Sequence, residues 1–191
     1  MGKSVEQYNT SKSSGKFQAP FPDAIVFHYT GSNGLESALK SALDKKVDLS
    51  MHLIIGRDGK IAQLLPFDAI AWHAGRSEYN GRKLYNNYSI GIHLVNAGQL
   101  NLENGSYRAW FGKTIDKNDV EQAMWPNAKQ VTYWHKYTPI QIERAEQIVD
   151  LLIEKYNIRE ILGHNEISPG RKMDPGPLFP LKEMRAQLPV P

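Results

Sequence analysis

The chain has 191 residues, 41% hydrophobic and 23% charged, enough for one domain with a proper core. Its net charge of +3 suits mild attraction to an anionic surface such as a cell wall, but the basic residues are scattered and form no aromatic–basic stripe, which argues against a nucleic-acid partner. It contains no cysteine, so disulfides and thiolate metal sites are excluded and any metal must be held by histidine and carboxylate.

Residues 1–22 are polar and rich in Ser and Lys, and read as a flexible arm ahead of a domain over 23–189. They lack the apolar core of a signal peptide, and Glu6 breaks the myristoylation pattern. No apolar run is long enough to span a membrane. The expectation is cytoplasmic synthesis without membrane insertion, with any export by another route.

"AIVFH" (24–28) is an apolar run ending on a histidine and reads as a buried strand. Leu35, Ala38, Leu39, Ala42 and Leu43 follow at helical spacing. "MHLIIGRDGKIAQLL" reads as a hairpin turning at Asp58-Gly59. In "YSIGIHLVN" (88–96) the strand period puts Ile90, Ile92 and Leu94 on one face and Ser89, Gly91, His93 and Val95 on the other. Residues 97–137 have no clear period and read as an irregular excursion with short elements. A helix starts at Thr138, which forms a capping box with Gln141, and Pro139 suits its first position. "IREILGH" reads as a strand ending on His164, and a short helix over 181–188 closes the chain. The fold class expected is α/β, a single domain with a mixed central sheet flanked by helices.

His28 and His164 each end an apolar strand that runs into a loop, where ligands of α/β sheets collect. Asp174 comes from "GHNEISPGRKMDPGP" (163–177), a stretch whose Gly and Pro content disfavours regular structure. Two neutral imidazoles and a carboxylate suit one zinc ion with a fourth position open. On spacing alone, hydrogen-bonded structural histidines are the competing reading.

Four stretches, "IVFHYT", "MHLIIGRDGKIAQLLPFDAIAWHAG", "NNYSIGIHLVN" and "LGHNEISPGRKMDPGP", occur in an order that resembles the zinc-dependent N-acetylmuramoyl-L-alanine amidases of the type 2 fold. That family includes muropeptide amidases, certain phage lysozymes and the peptidoglycan recognition proteins. The resemblance runs from about Ile25 to Pro180. It implies zinc ligands His28, His164 and Asp174, a strand-end zinc site, and an active-site lysine at Lys172. The implied reaction is hydrolysis of the amide between N-acetylmuramic acid and L-alanine in peptidoglycan or muropeptides. Tyr29, Trp72, His73, Arg76 and Asn165 are the expected substrate contacts, with a core role beside the ligands as the alternative for His73. His52 is expected to be structural, and His135 exposed or capping.

One position departs from the family pattern. Relatives with "SIGIE" use its Glu as acid/base, whereas here that position is His93. Some phage members use a Tyr before the following strand histidine, and that position is Met51. His93 is the expected proton-transfer residue, since imidazole titrates near 6.5. The alternative is a peptidoglycan-binding module without hydrolysis. An unrelated zinc peptidase finds no H-E-x-x-H, and a nucleotide site no P-loop. A monomer is expected, acting as a broad muropeptide amidase or as a phage-type lysin released to the wall.

Overall fold

The computed structural model describes residues 5–125 and 130–189. The first half holds strands β1 (Glu6–Gln7), β2 (Ser13–Lys16), β3 (Ala24–Tyr29), β4 (Leu53–Ile55), β5 (Ile61–Gln63), β6 (Ala69–Ala71), β7 (Glu78–Tyr79), β8 (Arg82–Lys83) and β9 (Ser89–Leu94). The second half adds β10 (Gln99–Glu103), β11 (Ser106–Arg108), β12 (Thr114–Ile115), β13 (Val120–Met124), β14 (Val131–His135) and β15 (Glu160–Gly163). The helices are α1 (Leu35–Leu43), α2 (Pro139–Lys155), the single turn α3 (His164–Ile167) and α4 (Leu181–Arg185).

Six strands form the central mixed sheet in the order β1-β5-β4-β9-β3-β15. Strands β4, β9, β3 and β15 run parallel, and the β4–β5 hairpin reverses direction at the edge. Alternation along the strands sorts the core into two layers. Ile25 and Phe27 of β3, with Ile90, Ile92 and Leu94 of β9, pack on Ala145, Ile148, Val149 and Leu152 of α2. On the other face, Ile54, Ala62 and Val95 pack on Ala38, Leu39 and Ala42 of α1. The expected capping box is present: Gln141 N–H donates to Thr138 Oγ1 at 3.3 Å, and Thr138 N–H donates to Gln141 Oε1 at 3.1 Å. Fully buried Gln141 also donates through Nε2 to the carbonyls of Val95 (2.9 Å) and Ile55 (3.3 Å), tying the helix start to the ends of two strands.

Two expectations need correction. The stretch read as a flexible arm is paired to the domain: β1 lies parallel to β5, and β2 antiparallel to β6. Lys12 is buried, and its ammonium donates to the carbonyls of Asp44 and Val47, both at 3.1 Å. Backbone pairing and one lysine hold the segment, so its composition carries no apolar signal. The excursion over 97–137 is not irregular either. It holds a second, antiparallel sheet in the order β12-β11-β10-β14-β13. Its core is small (Ala97, Leu100, Ala109 and Ile115), so most of its residues stay polar and no period of two emerges. The two ends of this excursion meet. His135 N–H donates to Gly98 O at 3.0 Å, Ala97 N–H donates to His135 Nδ1 at 3.1 Å, and Asn96 Nδ2 donates to His135 O at 2.9 Å. His135, expected to be exposed or capping, is buried and caps the Ala97 N–H at this clip. No described helix is long and apolar enough to cross a membrane.

Candidate metal centre and cleft

Parallel pairing puts the C-terminal ends of β9, β3 and β15 side by side, with His28 in register with His93. His28 is the penultimate residue of β3 and His164 follows β15 as the first residue of α3, so both imidazoles leave the same edge of the sheet. Asp174 returns to them because its carbonyl accepts from Asn165 N–H at 2.8 Å, which folds the 165–174 loop back on its start. His28 Nδ1 lies 2.9 Å from His164 Nδ1, and each of these nitrogens lies 2.9 Å from Asp174 Oδ2. All three residues are buried.

The partners of the outer ring nitrogens assign the protons. His164 Nε2 faces the carbonyl of Ala74 at 3.0 Å, and His73 Nε2 faces the carbonyl of Ser89 at 3.2 Å. A carbonyl only accepts, so both Nε2 atoms carry hydrogen. His73 Nδ1 is then bare and accepts from His28 Nε2 at 3.0 Å. Burial is the main cause holding His28 and His73 well below the usual imidazole range, and neighbouring histidines add to it. Both rings are therefore neutral, and His28 Nδ1 is bare as well. Three potential donor atoms, His28 Nδ1, His164 Nδ1 and Asp174 Oδ2, converge within 2.9 Å of one another, an arrangement that asks for a cation.

His93 stacks on His28, ring centroids 4.2 Å apart and planes within 6°. Burial, followed by His28, keeps it well below its ordinary value and neutral. Its Nδ1 is buried with no hydrogen-bond partner among the described residues. The four imidazoles (His28, His73, His93 and His164), with Asp174, form the floor of a cavity of about 810 Å³. Its walls include Tyr29, Ser32 and Asn33 after β3, Met51 beneath, Trp110 and Phe111 from the second sheet, and Arg171 and Lys172.

The family described as N-acetylmuramoyl-L-alanine amidase matches residues 18–177. The chain belongs to this amidase family. Among curated amidases it is 31% identical to the 1,6-anhydro-N-acetylmuramyl-L-alanine amidase AmpD of Escherichia coli K12 over 90% of this chain and 74% of AmpD. It is 32% identical to N-acetylmuramoyl-L-alanine amidase AmiD of the same organism over 89% of this chain, and spans only 55% of AmiD. Among solved amidase structures, AmpD in its Se-Met form aligns with a TM-score of 0.65 at 26% identity, over 99% of this chain and 96% of that one. E. coli AmiD, in complex with anhydro-N-acetylmuramic acid-L-Ala-D-gamma-Glu-L-Lys, aligns with a TM-score of 0.67 at 29% identity, over 93% of this chain and 62% of that one.

Of the residues expected in this amidase's site, the structure brings together His28, His164, Asp174, Lys172, His93, Tyr29 and His73. His73 is buried behind His28 and bonded to it. The Tyr29 ring lies over Gly98, and burial with Asp174 pushes its hydroxyl up to about 12, so it stays protonated. Trp72, Arg76 and Asn165 do not line the cavity. Trp72 instead donates to Ser14 Oγ at 2.8 Å on the N-terminal segment that was read as loose. The side chain of Arg76 is exposed, and its carbonyl accepts from Ser168 Oγ and Arg171 Nη2. Asn165 acts through its backbone N–H, closing the loop onto Asp174. His52 is structural as expected: Gly91 N–H donates to its Nδ1 at 2.9 Å, and its Nε2 donates to Ala69 O at 2.8 Å. Sequence reasoning missed Trp110, Phe111 and Arg171, whose place in the wall depends on the second sheet and on how the 165–174 loop folds.

Proposed function

We propose that this chain is a zinc-dependent amidase that hydrolyses the bond between the lactyl group of N-acetylmuramic acid and L-alanine in muropeptides or peptidoglycan. The observation that carries this reading is the convergence of three donor atoms at the floor of an open cavity, beside the neutral His93 imidazole. Family membership supplies the substrate class. The donor set fits zinc, which would be held by His28 Nδ1, His164 Nδ1 and Asp174 Oδ2 and would supply Lewis-acid polarisation and an activated water.

His93 takes a proton from the attacking water and returns it to the alanine nitrogen as the C–N bond breaks. A neutral imidazole that lines the cavity beside the ligands is suited to that cycle. The Lys172 ammonium stabilises negative charge developing on the carbonyl oxygen, brought there by the loop that also carries Asp174. Tyr29 offers a protonated hydroxyl to the substrate from the wall.

The second reading is a wall-binding module without hydrolysis, favoured by His93 standing where similar amidases have Glu. Mass spectrometry of a defined muropeptide incubated with zinc-loaded and with chelated protein separates the two. Stem peptide beginning at L-alanine, released only with zinc, supports the amidase. Bound zinc without cleavage of fragment or polymer supports the binding module. Running the assay on intact sacculi as well distinguishes a lysin-like role from fragment degradation: release from both substrates is expected of a lysin, and release from fragments alone assigns the cytoplasmic, fragment-directed role. We read the active form as a monomer, and a dimer in sedimentation at assay concentration would overturn that.

A further inference from the structure

We propose that Asn86, a residue outside the cleft, sets the metal affinity of the cluster together with His73 by locking both ligand imidazoles in the tautomer that leaves Nδ1 bare. This deepens the amidase reading and rests on it. Asn86 lies in the 3-10 turn Tyr85–Asn87, before β9. Its Oδ1 accepts from two consecutive backbone N–H groups, His73 at 3.1 Å and Ala74 at 2.7 Å. That clamped dipeptide serves both ligands. The His73 side chain holds His28 Nε2 at 3.0 Å, and the Ala74 carbonyl holds His164 Nε2 at 3.0 Å.

Two further contacts make the clamp rigid. His73 is fixed at its other nitrogen by Ser89 O, on β9. Its ring lies so close over Gly91 that a Cβ there would be 2.4 Å from His73 Cγ. Arg171 Nη2 also donates to Ala74 O, at 2.9 Å, and the carbonyl's second lone pair accommodates it. One amide oxygen thus aligns two adjacent residues, and through them two rings, one on β3 and one at the start of α3. A free neutral imidazole populates both tautomers, and the wrong one places a proton where the metal must bind. Holding the outer nitrogens as donors removes that competition, and outer partners of metal-binding histidines typically change affinity by roughly 10–100-fold.

The test uses the full chain, stripped of metal, with zinc titrated against a fluorescent chelator. Asn86→Ala and His73→Phe are expected to weaken zinc binding by roughly 10–100-fold, whereas Asn86→Asp, which keeps an acceptor for both N–H groups, stays within about threefold. Nitrogen-15 NMR of the metal-free histidine side chains, at about pH 8 where imidazoles are neutral, reads the lock directly. The wild type is expected to show His28 and His164 protonated on Nε2. His73→Phe loses this for His28 alone, and Asn86→Ala turns both rings into tautomer mixtures. Folded Asn86→Ala with wild-type tautomers and wild-type zinc affinity overturns the proposal. Should Asn86→Ala fail to fold, wild-type zinc affinity in His73→Phe overturns it equally. A wild type that binds no zinc sinks the amidase reading instead, and the tautomer spectra then decide the lock alone.

Discussion

His93 shows how one side chain can be legible in type and not in detail. Its face of β9 follows from strand alternation, and the departure from "SIGIE" marks it as the position to watch. The stacking on His28 and the unpaired Nδ1 follow only from in-register parallel pairing. His93→Ala is expected to lower turnover of a defined muropeptide by roughly 10²–10⁴-fold while leaving zinc affinity nearly unchanged. His93→Glu, which restores the group common in similar amidases, is expected to retain activity, and unchanged turnover in His93→Ala would remove His93 from the mechanism. Gly91→Ala should act through a neighbour: the new methyl collides with the His73 ring, so zinc binding falls although no ligand is touched. His28, His164 and Asp174 were readable because their motifs are contiguous. Asn86 was not, because its role passes through backbone groups 12 and 13 residues away. Trp72, Arg76 and Asn165 lie outside the cavity lining for a related reason: lying near a ligand in sequence says nothing about which way a side chain leaves the loop.

Elements were readable where one face is fully apolar. β3, β9 and α2 announce themselves because the two strands turn one apolar face onto the apolar stripe of α2. The start of α2 carries an energetic prediction. Thr138→Ala loses its cap bond and the bond its hydroxyl donates to the carbonyl of half-buried Arg57, and is expected to cost about 1 kcal/mol. Gln141→Ala should cost more, because it removes the other half of the capping box and deprives the buried carbonyl of Val95 of its donor, about 1–3 kcal/mol for a group left unsatisfied, while Ile55 O keeps the Val95 N–H. Urea unfolding of both variants checks the order, and equal losses would mean that water replaces the amide. The N-terminal strands and the second sheet escaped notice because they are held by ladder hydrogen bonds, a buried lysine and a few small apolar residues. Hydrophobic periodicity has no access to such contributions.

The whole molecule should respond to acid through its buried histidines. Burial is the main cause holding His52 and His135 down to about 4, against an ordinary value of 6.5. Between those two values the unfolded chain binds protons that the folded chain refuses. Stability from these groups is therefore complete above about pH 6.5 and is lost as pH falls towards about 4. Denaturation midpoints of metal-free protein should be flat above neutrality and should fall over that window with a slope exceeding one proton per molecule. His28, His73 and His93, also held down by burial, add to that slope, so a slope of one or less would mean that most of these buried histidines titrate normally.

The clip at Asn96–Gly98 and His135 gives the chain a detachable quality. The strand leaving the catalytic sheet and the strand returning to α2 are already joined there, before the excursion begins. The stretch between is a cassette that has its own small core and touches the metal loop where buried Trp134 lies against Gly176, so most of its length and wording can change while that contact stays. That cassette supplies Trp110 and Phe111 to the cleft wall, so substrate preference can drift by rewriting one insert while the chemistry stays in place. Replacing residues 100–133 with a short turn, which keeps Gln99 and Trp134, should leave a folded, zinc-competent protein with a shallower, less selective cleft.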